Sequence, residues 1–114
     1  MGQRVAEVVW GPGSLVNAPH LLDVEVAQVV GRLVRSRKLT LAEAEGVVTD
    51  LGELDLLRHE HVDLLERVLE LHANATAYDG VYLALAEALG AELVTCDAKL
   101  GRVPGIRASV RVVA

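Results

Sequence analysis

The sequence predicts an α/β domain built around a mostly parallel sheet. Three observations predict it. Short β-forming runs alternate with stretches of helical periodicity from about residue 15 to the C-terminus. The chain is 52% hydrophobic but 3% aromatic, with no Phe, so its core must be Val, Leu and Ala. Its 114 residues suit one domain, spanning 1–114, and at that length about two thirds of the unfolded surface can be buried.

The elements follow in order. Gly11-Pro12-Gly13-Ser14 is an early turn, and its Gly-x-Gly lacks the rest of a dinucleotide fingerprint. Leu15–Leu22 is a short strand or an extended approach to a helix. From Val24, apolar residues at Val26, Val29, Val30, Leu33 and Val34 mark one helical face, closed by Arg35, Arg37 and Lys38. Thr40-Leu41-Ala42-Glu43 fits a capping box for a second helix through Leu51. Leu54–Arg58 reads as a short strand, and Val62, Leu65, Val68, Leu69 and His72 mark a third helix that ends near Ala73-Asn74. Asp79 caps a fourth helix, which Gly90 stops. Glu92–Cys96 is a buried strand, Ala98–Arg102 a helical turn, and Ser109–Val113 a last strand.

Composition excludes several classes of function. A lone cysteine, Cys96, rules out a disulfide framework and a Cys-rich zinc site. Eleven Lys and Arg against 16 Asp and Glu give a net charge of -5, which argues against binding DNA through general charge. Scarce aromatics leave no platform for base stacking. No apolar run is long enough for a bilayer, and the N-terminus leads into no signal-like stretch, so a cytoplasmic protein is expected.

Three carboxylates have the sequence position for one end of the sheet, where ligands of parallel sheets bind. Asp97 directly follows the Leu93 strand, Asp79 begins the helix that leads into it, and Glu25 opens the first helix. Each has a plainer reading. Asp79 and Asp97 suit helix caps, and Glu25 suits the dipole of a helix start. Glu25, however, shares a stripe with Val29 and Leu33, where a carboxylate is costly unless paired or metal-bound. Converging carboxylates hold hard cations such as Mg²⁺ or Mn²⁺, which serve phosphodiester hydrolysis. Thr76 is a capping hydroxyl or a supporting ligand.

Other candidates point to structure. His59-Glu60-His61 fits a solvated strand–helix junction, and His72 a packed or capping histidine. Arg32, Arg35, Arg37 and Lys38 suit a solvated helix end, and Tyr78 and Tyr82 core packing.

Ala18-Pro19-His20-Leu21-Leu22-Asp23-Val24-Glu25-Val26 resembles the second acidic motif of VapC-type PIN-domain toxins. Thr76-Ala77-Tyr78-Asp79-Gly80-Val81-Tyr82 resembles their third, and Leu93-Val94-Thr95-Cys96-Asp97 their fourth. The resemblance covers about residues 18–114. It implies a three-layer PIN fold and Mg²⁺- or Mn²⁺-dependent endoribonuclease activity. It makes Glu25, Asp79 and Asp97 metal-site acids, with Thr76 in support. It also implies a VapB-type antitoxin partner, a homodimer and an RNA substrate.

One part of the pattern is missing. Members of the family begin with a strand that carries an aspartate ligand, and no Asp here precedes Asp23. Arg4–Val9 resembles instead a later helix of the family, or is recruited as a strand, given Val5, Val8 and Val9. Three explanations compete: a start codon assigned too late, a decayed relative, or Glu7 or Asp23 in the role of the absent ligand. Two functions follow, a ribonuclease toxin or a catalytically inactive PIN module that dimerises or binds antitoxin without cleaving RNA.

Overall fold

The computed structural model describes residues 7–11 and 15–113. Its strands are β1 (Glu7–Trp10), β2 (Val16–Pro19), β3 (Leu57–His59), β4 (Glu92–Thr95) and β5 (Ser109–Val112). Its helices are α1 (Leu21–Arg35), α2 (Leu41–Glu53), α3 (Leu65–Glu70) and α4 (Ala77–Leu89). Two 3-10 helices, Val62–Leu64 and Ala98–Arg102, precede α3 and follow β4. The order in the single five-stranded sheet is β3-β2-β1-β4-β5. β2 is parallel to β3, and β4 to β5. β1 is antiparallel to both of its neighbours, so four strands share one direction and the central one runs against them.

The N-terminal segment that sequence left between helix and strand is a strand over Glu7–Trp10. Arg4 and Val5 lie outside the described residues. Its direction has a simple cause. Residues 11–15 join β1 to the adjacent β2, and a parallel neighbour would need a crossover of about a dozen residues or more. A Cβ at Gly11 would come within 2.8 Å of Asn17 Nδ2, so a larger residue at this turn would push that amide aside. Asn17 then ties three strands together. Its Nδ2 donates to Val9 O of β1 at 3.5 Å and to Leu15 O at 3.2 Å, and its Oδ1 lies 2.8 Å from His59 Nε2 of β3. His59 therefore sits at the strand–helix junction half-buried and bonded to Asn17, not solvated as the sequence suggested.

The core lies where β1 and β4 meet α4. Val9 pairs with Leu93 and Glu7 with Thr95. Val9, Leu93 and Thr95 are fully buried. From Val81 to Ala86, every residue of α4 is buried. Val9, Leu93, Tyr82, Leu83 and Ala86 form one cluster. Gly80 brings α4 close to α3, since a Cβ there would meet Val68 Cγ1 at 3.1 Å.

Caps follow local chemistry. The capping box at α2 is complete: Glu43 N–H donates to Thr40 Oγ1, and Thr40 N–H to Glu43 Oε1. Gly90 ends α4 in the left-handed region at φ +59°. The cap of α4 is Thr76, not Asp79: Asp79 N–H donates to Thr76 Oγ1, so Asp79 sits inside the first turn. The first helix begins at Leu21, directly after Pro19-His20, which moves Glu25 from its opening into its second turn.

Arg67 clasps the far side of α4. Its Nε and Nη2 donate to the two carboxylate oxygens of Glu87 at 2.8 and 3.1 Å. Nη2 also reaches Gly105 O, and Arg107 N–H donates to Glu87 Oε2. Partial burial pushes the Glu87 carboxyl up, but the hydrogen bonds from Arg67 and Arg107 outweigh it and hold the group below its ordinary 4.5.

Candidate active site

The four parallel strands end at one edge of the sheet, and the elements carrying the candidate acids leave from it. β2 passes at Pro19 into α1, which bears Glu25. β4 ends at Thr95, two residues before Asp97. α4 starts at Ala77 and brings Asp79 on its first turn.

Glu25 and α4 are joined directly. Tyr82 O–H donates to Glu25 Oε1 at 2.6 Å. Tyr82 is fully buried, and Glu25 is half-buried. The carboxylate on the apolar stripe is thus offset by a short hydrogen bond. Tyr82 also stands one turn beyond Asp79, so this contact fixes the first turn of α4 against α1. Sequence assigned Tyr82 to packing alone. The signal was there: a tyrosine in an otherwise apolar helix needs a partner for its hydroxyl.

Asp97 is oriented from both sides. Its N–H donates to Thr95 Oγ1 at 3.0 Å, and its Oδ1 accepts from Lys99 N at 2.9 Å. It therefore caps the 3-10 helix, the plainer of its two readings. Cys96, expected to be buried in the strand, is exposed beyond its end. The chain turns there to place Asp97, which releases the neighbouring side chain to solvent.

Asp23, one of the two carboxylates considered for the absent ligand, is paired elsewhere. Arg58 Nε donates to its Oδ2 at 2.8 Å, and Arg58 Nη2 donates to Leu51 O. This knits α1, α2 and β3 together. Its hydrogen bond to Asp23 raises the Arg58 pKa further. Glu7, the other carboxylate considered, is 3% exposed. It begins β1, and because β1 is reversed this is the end that meets the edge of the site.

Glu25, Asp79, Asp97 and Thr76 offer oxygen donors alone, a set whose chemistry fits Mg²⁺ or Mn²⁺ and not a soft metal. Among the described residues, no three Asp, Glu, His or Cys side chains stand close enough together to hold an ion. The donors share an edge without closing on a common point.

Residues 6–106 match the family model for the PIN domain. The chain belongs to the PIN domain family. Three curated relatives come from Mycobacterium tuberculosis. Ribonuclease VapC9 is 40% identical over 85 residues, which is 75% of this chain and 67% of the relative. Ribonuclease VapC1 is 38% identical over 101 residues, 88% of this chain and 76% of the relative. Ribonuclease VapC12 is 34% identical over 102 residues, 90% of this chain and 79% of the relative. This is a VapC-type PIN domain. The expected α/β fold is present, a mostly parallel sheet flanked by helices. Among the described residues, no helix of this PIN domain is long and apolar enough to cross a membrane.

Proposed function

We propose that this PIN domain is the endoribonuclease of a VapB–VapC toxin–antitoxin pair, cleaving RNA phosphodiester bonds in the cytoplasm with Mg²⁺ or Mn²⁺. The observation that carries the reading is the shared edge: Glu25, Asp79 and Asp97 leave three different elements at the carboxyl end of one sheet. The printed names of the relatives, all ribonucleases, support it.

Glu25, Asp79 and Asp97 would hold the cation, with Thr76 in support. When bound, it supplies Lewis-acid charge and a more acidic water. The chain's own residues do the positioning. Tyr82 holds Glu25 against α4. The Thr95 hydroxyl and Lys99 N–H fix the turn that bears Asp97. Lys99 and Arg102 are exposed on the 3-10 helix beyond Asp97, where cations can meet RNA phosphates. The acidic total of the chain does not oppose this, because part of it is concentrated at the site.

A VapB-type antitoxin and a second copy of the chain are the proposed partners. Leu41 and Leu54 of the α2 region and Leu69 of α3 are largely exposed, the kind of surface such partners cover.

The test is cleavage of a structured RNA with Mg²⁺. Wild type should cleave, Asp79→Ala and Asp97→Asn should lose at least ~100-fold, and a chelator should abolish the reaction. Equal cleavage by wild type and Asp79→Ala would contradict the reading.

A further inference from the structure

Charge is unevenly divided along the chain. Residues 98–114 hold Lys99, Arg102, Arg107 and Arg111 and no Asp or Glu, while the whole chain has 11 Lys and Arg against 16 Asp and Glu. Two of the four are engaged. Arg111 Nη2 pairs with Glu92 Oε1 at 2.7 Å, and Arg107 lies by the Glu87 carboxylate, to which its N–H donates at 2.6 Å. Lys99 and Arg102 are exposed, and among the described residues their side chains meet no hydrogen-bond or ion-pair partner.

The 3-10 helix Ala98–Arg102 sets these two cations in one line. With three residues per turn, residues three apart eclipse one another. Leu100 is 2% exposed and Val103, three residues on, is 9% exposed, so one line of the segment faces the core. Gly101 faces β5, where a Cβ would lie 3.8 Å from Val112 Cγ2 and 3.9 Å from Val110 Cγ1. The third line is Lys99 and Arg102, turned to solvent. At the 3-10 rise their α carbons are about 6 Å apart, close to the separation of neighbouring phosphates on one strand. The backbone beneath them is tied at both ends. Lys99 N–H donates to Asp97 Oδ1, and Arg67 Nη2 donates to Gly105 O. Cations on a fixed backbone lose less freedom when they bind.

Arg35, Arg37 and Lys38 are exposed as well, but they stand at the far end of α1. That helix leaves the sheet edge at Leu21, and its 15 residues carry Arg35 roughly 20 Å away from it. Lys99 and Arg102 instead follow Asp97 directly. We infer that Lys99 and Arg102 grip two successive phosphates of the RNA strand and seat it beside Asp97. The inference rests on the function proposed above and adds to it a contact that recognises the phosphodiester backbone and not the bases. Arg102 can hold one phosphate through two parallel N–H bonds, and Lys99 holds the next as a point charge.

The experiment is fluorescence anisotropy of a labelled uridine oligonucleotide with the full chain, in chelator so that binding is read without cleavage, across a salt series. Wild type is compared with a double variant, Lys99→Gln with Arg102→Gln, and a triple variant, Arg35→Gln with Arg37→Gln and Lys38→Gln. Each is checked for native circular dichroism. The double variant should bind on the order of 10-fold more weakly, and its slope of log affinity against log salt should shrink by about 1.4, the value for two single-strand phosphate contacts. The triple variant should stay within about 2-fold of wild type. If the double variant does not fold, Lys99→Gln alone carries the test, with half the change in slope. Wild-type affinity and slope in the double variant, or a loss confined to the triple variant, would overturn the grip. Cleavage of RNA by wild type with Mg²⁺ would then leave the proposed function standing. The expected binding pattern in a chain that does not cleave would overturn that function and keep the contact.

Discussion

β1 and β4 lie side by side at the centre of the sheet and arrive there by different routes. β4 is placed by local signals. Gly90 stops α4, Ala91 follows, and Leu93 turns into the core next to its own helix. It runs in the direction that a helix–strand succession imposes. β1 has equally strong β-formers in Val8 and Val9, but its direction is dictated by its short connection to β2. The same residue types therefore build a parallel strand in one place and a reversed one beside it. Composition selects strand, and connection length selects direction.

The comparison is open to test by truncation, beginning with the largest effect. Leu93→Ala should cost about 2–5 kcal/mol in urea unfolding. Val9→Ala, its register partner, should cost about 1–3 kcal/mol. A Val9→Ala cost near zero would show that β1 does not occupy the centre of the sheet.

Two further regions are held by different chemistry, and pH separates them. Glu87 is held below its ordinary value by Arg67 and Arg107, so its contribution is present above about pH 4.5 and is lost as pH falls through the lower folded value. Glu87→Gln should therefore lower the unfolding midpoint at pH 7, and the gap to wild type should close only as pH falls below about 4.5. On the β1 side, Asn17 bonds to Leu15 O and His59 with no carboxylate involved. Asn17→Ala should cost stability with no comparable closing in the same acid range.

Smaller effects sharpen the site. Tyr82→Phe removes the hydroxyl bonded to Glu25 and should cost about 1–2 kcal/mol, read by denaturation. Thr40→Ala at the capping box of α2 should cost about 1 kcal/mol and leave Mn²⁺ binding unchanged.

Much of this was legible in the sequence where signals are local. The Thr40 capping box, the Gly90 stop and the β4 strand followed from neighbouring residues. Asp79 was misplaced by a few residues as the cap, because Thr76 and Asp79 are both competent caps and only the helix start decides. Glu25 was recognised as anomalous, but its partner is 57 residues away and no local pattern names it. The least legible feature was the direction of β1, which no periodicity encodes, although the short turn at Gly11 excludes a parallel neighbour to β2.

Inter-strand nuclear Overhauser contacts measure the direction of β1 most directly. The structure predicts Val9 opposite Leu93 and Glu7 opposite Thr95, with Trp10 at the Glu92 end. Trp10 opposite Thr95, or no contacts between residues 7–10 and 92–95, would contradict it and remove Glu7 from the edge of the site.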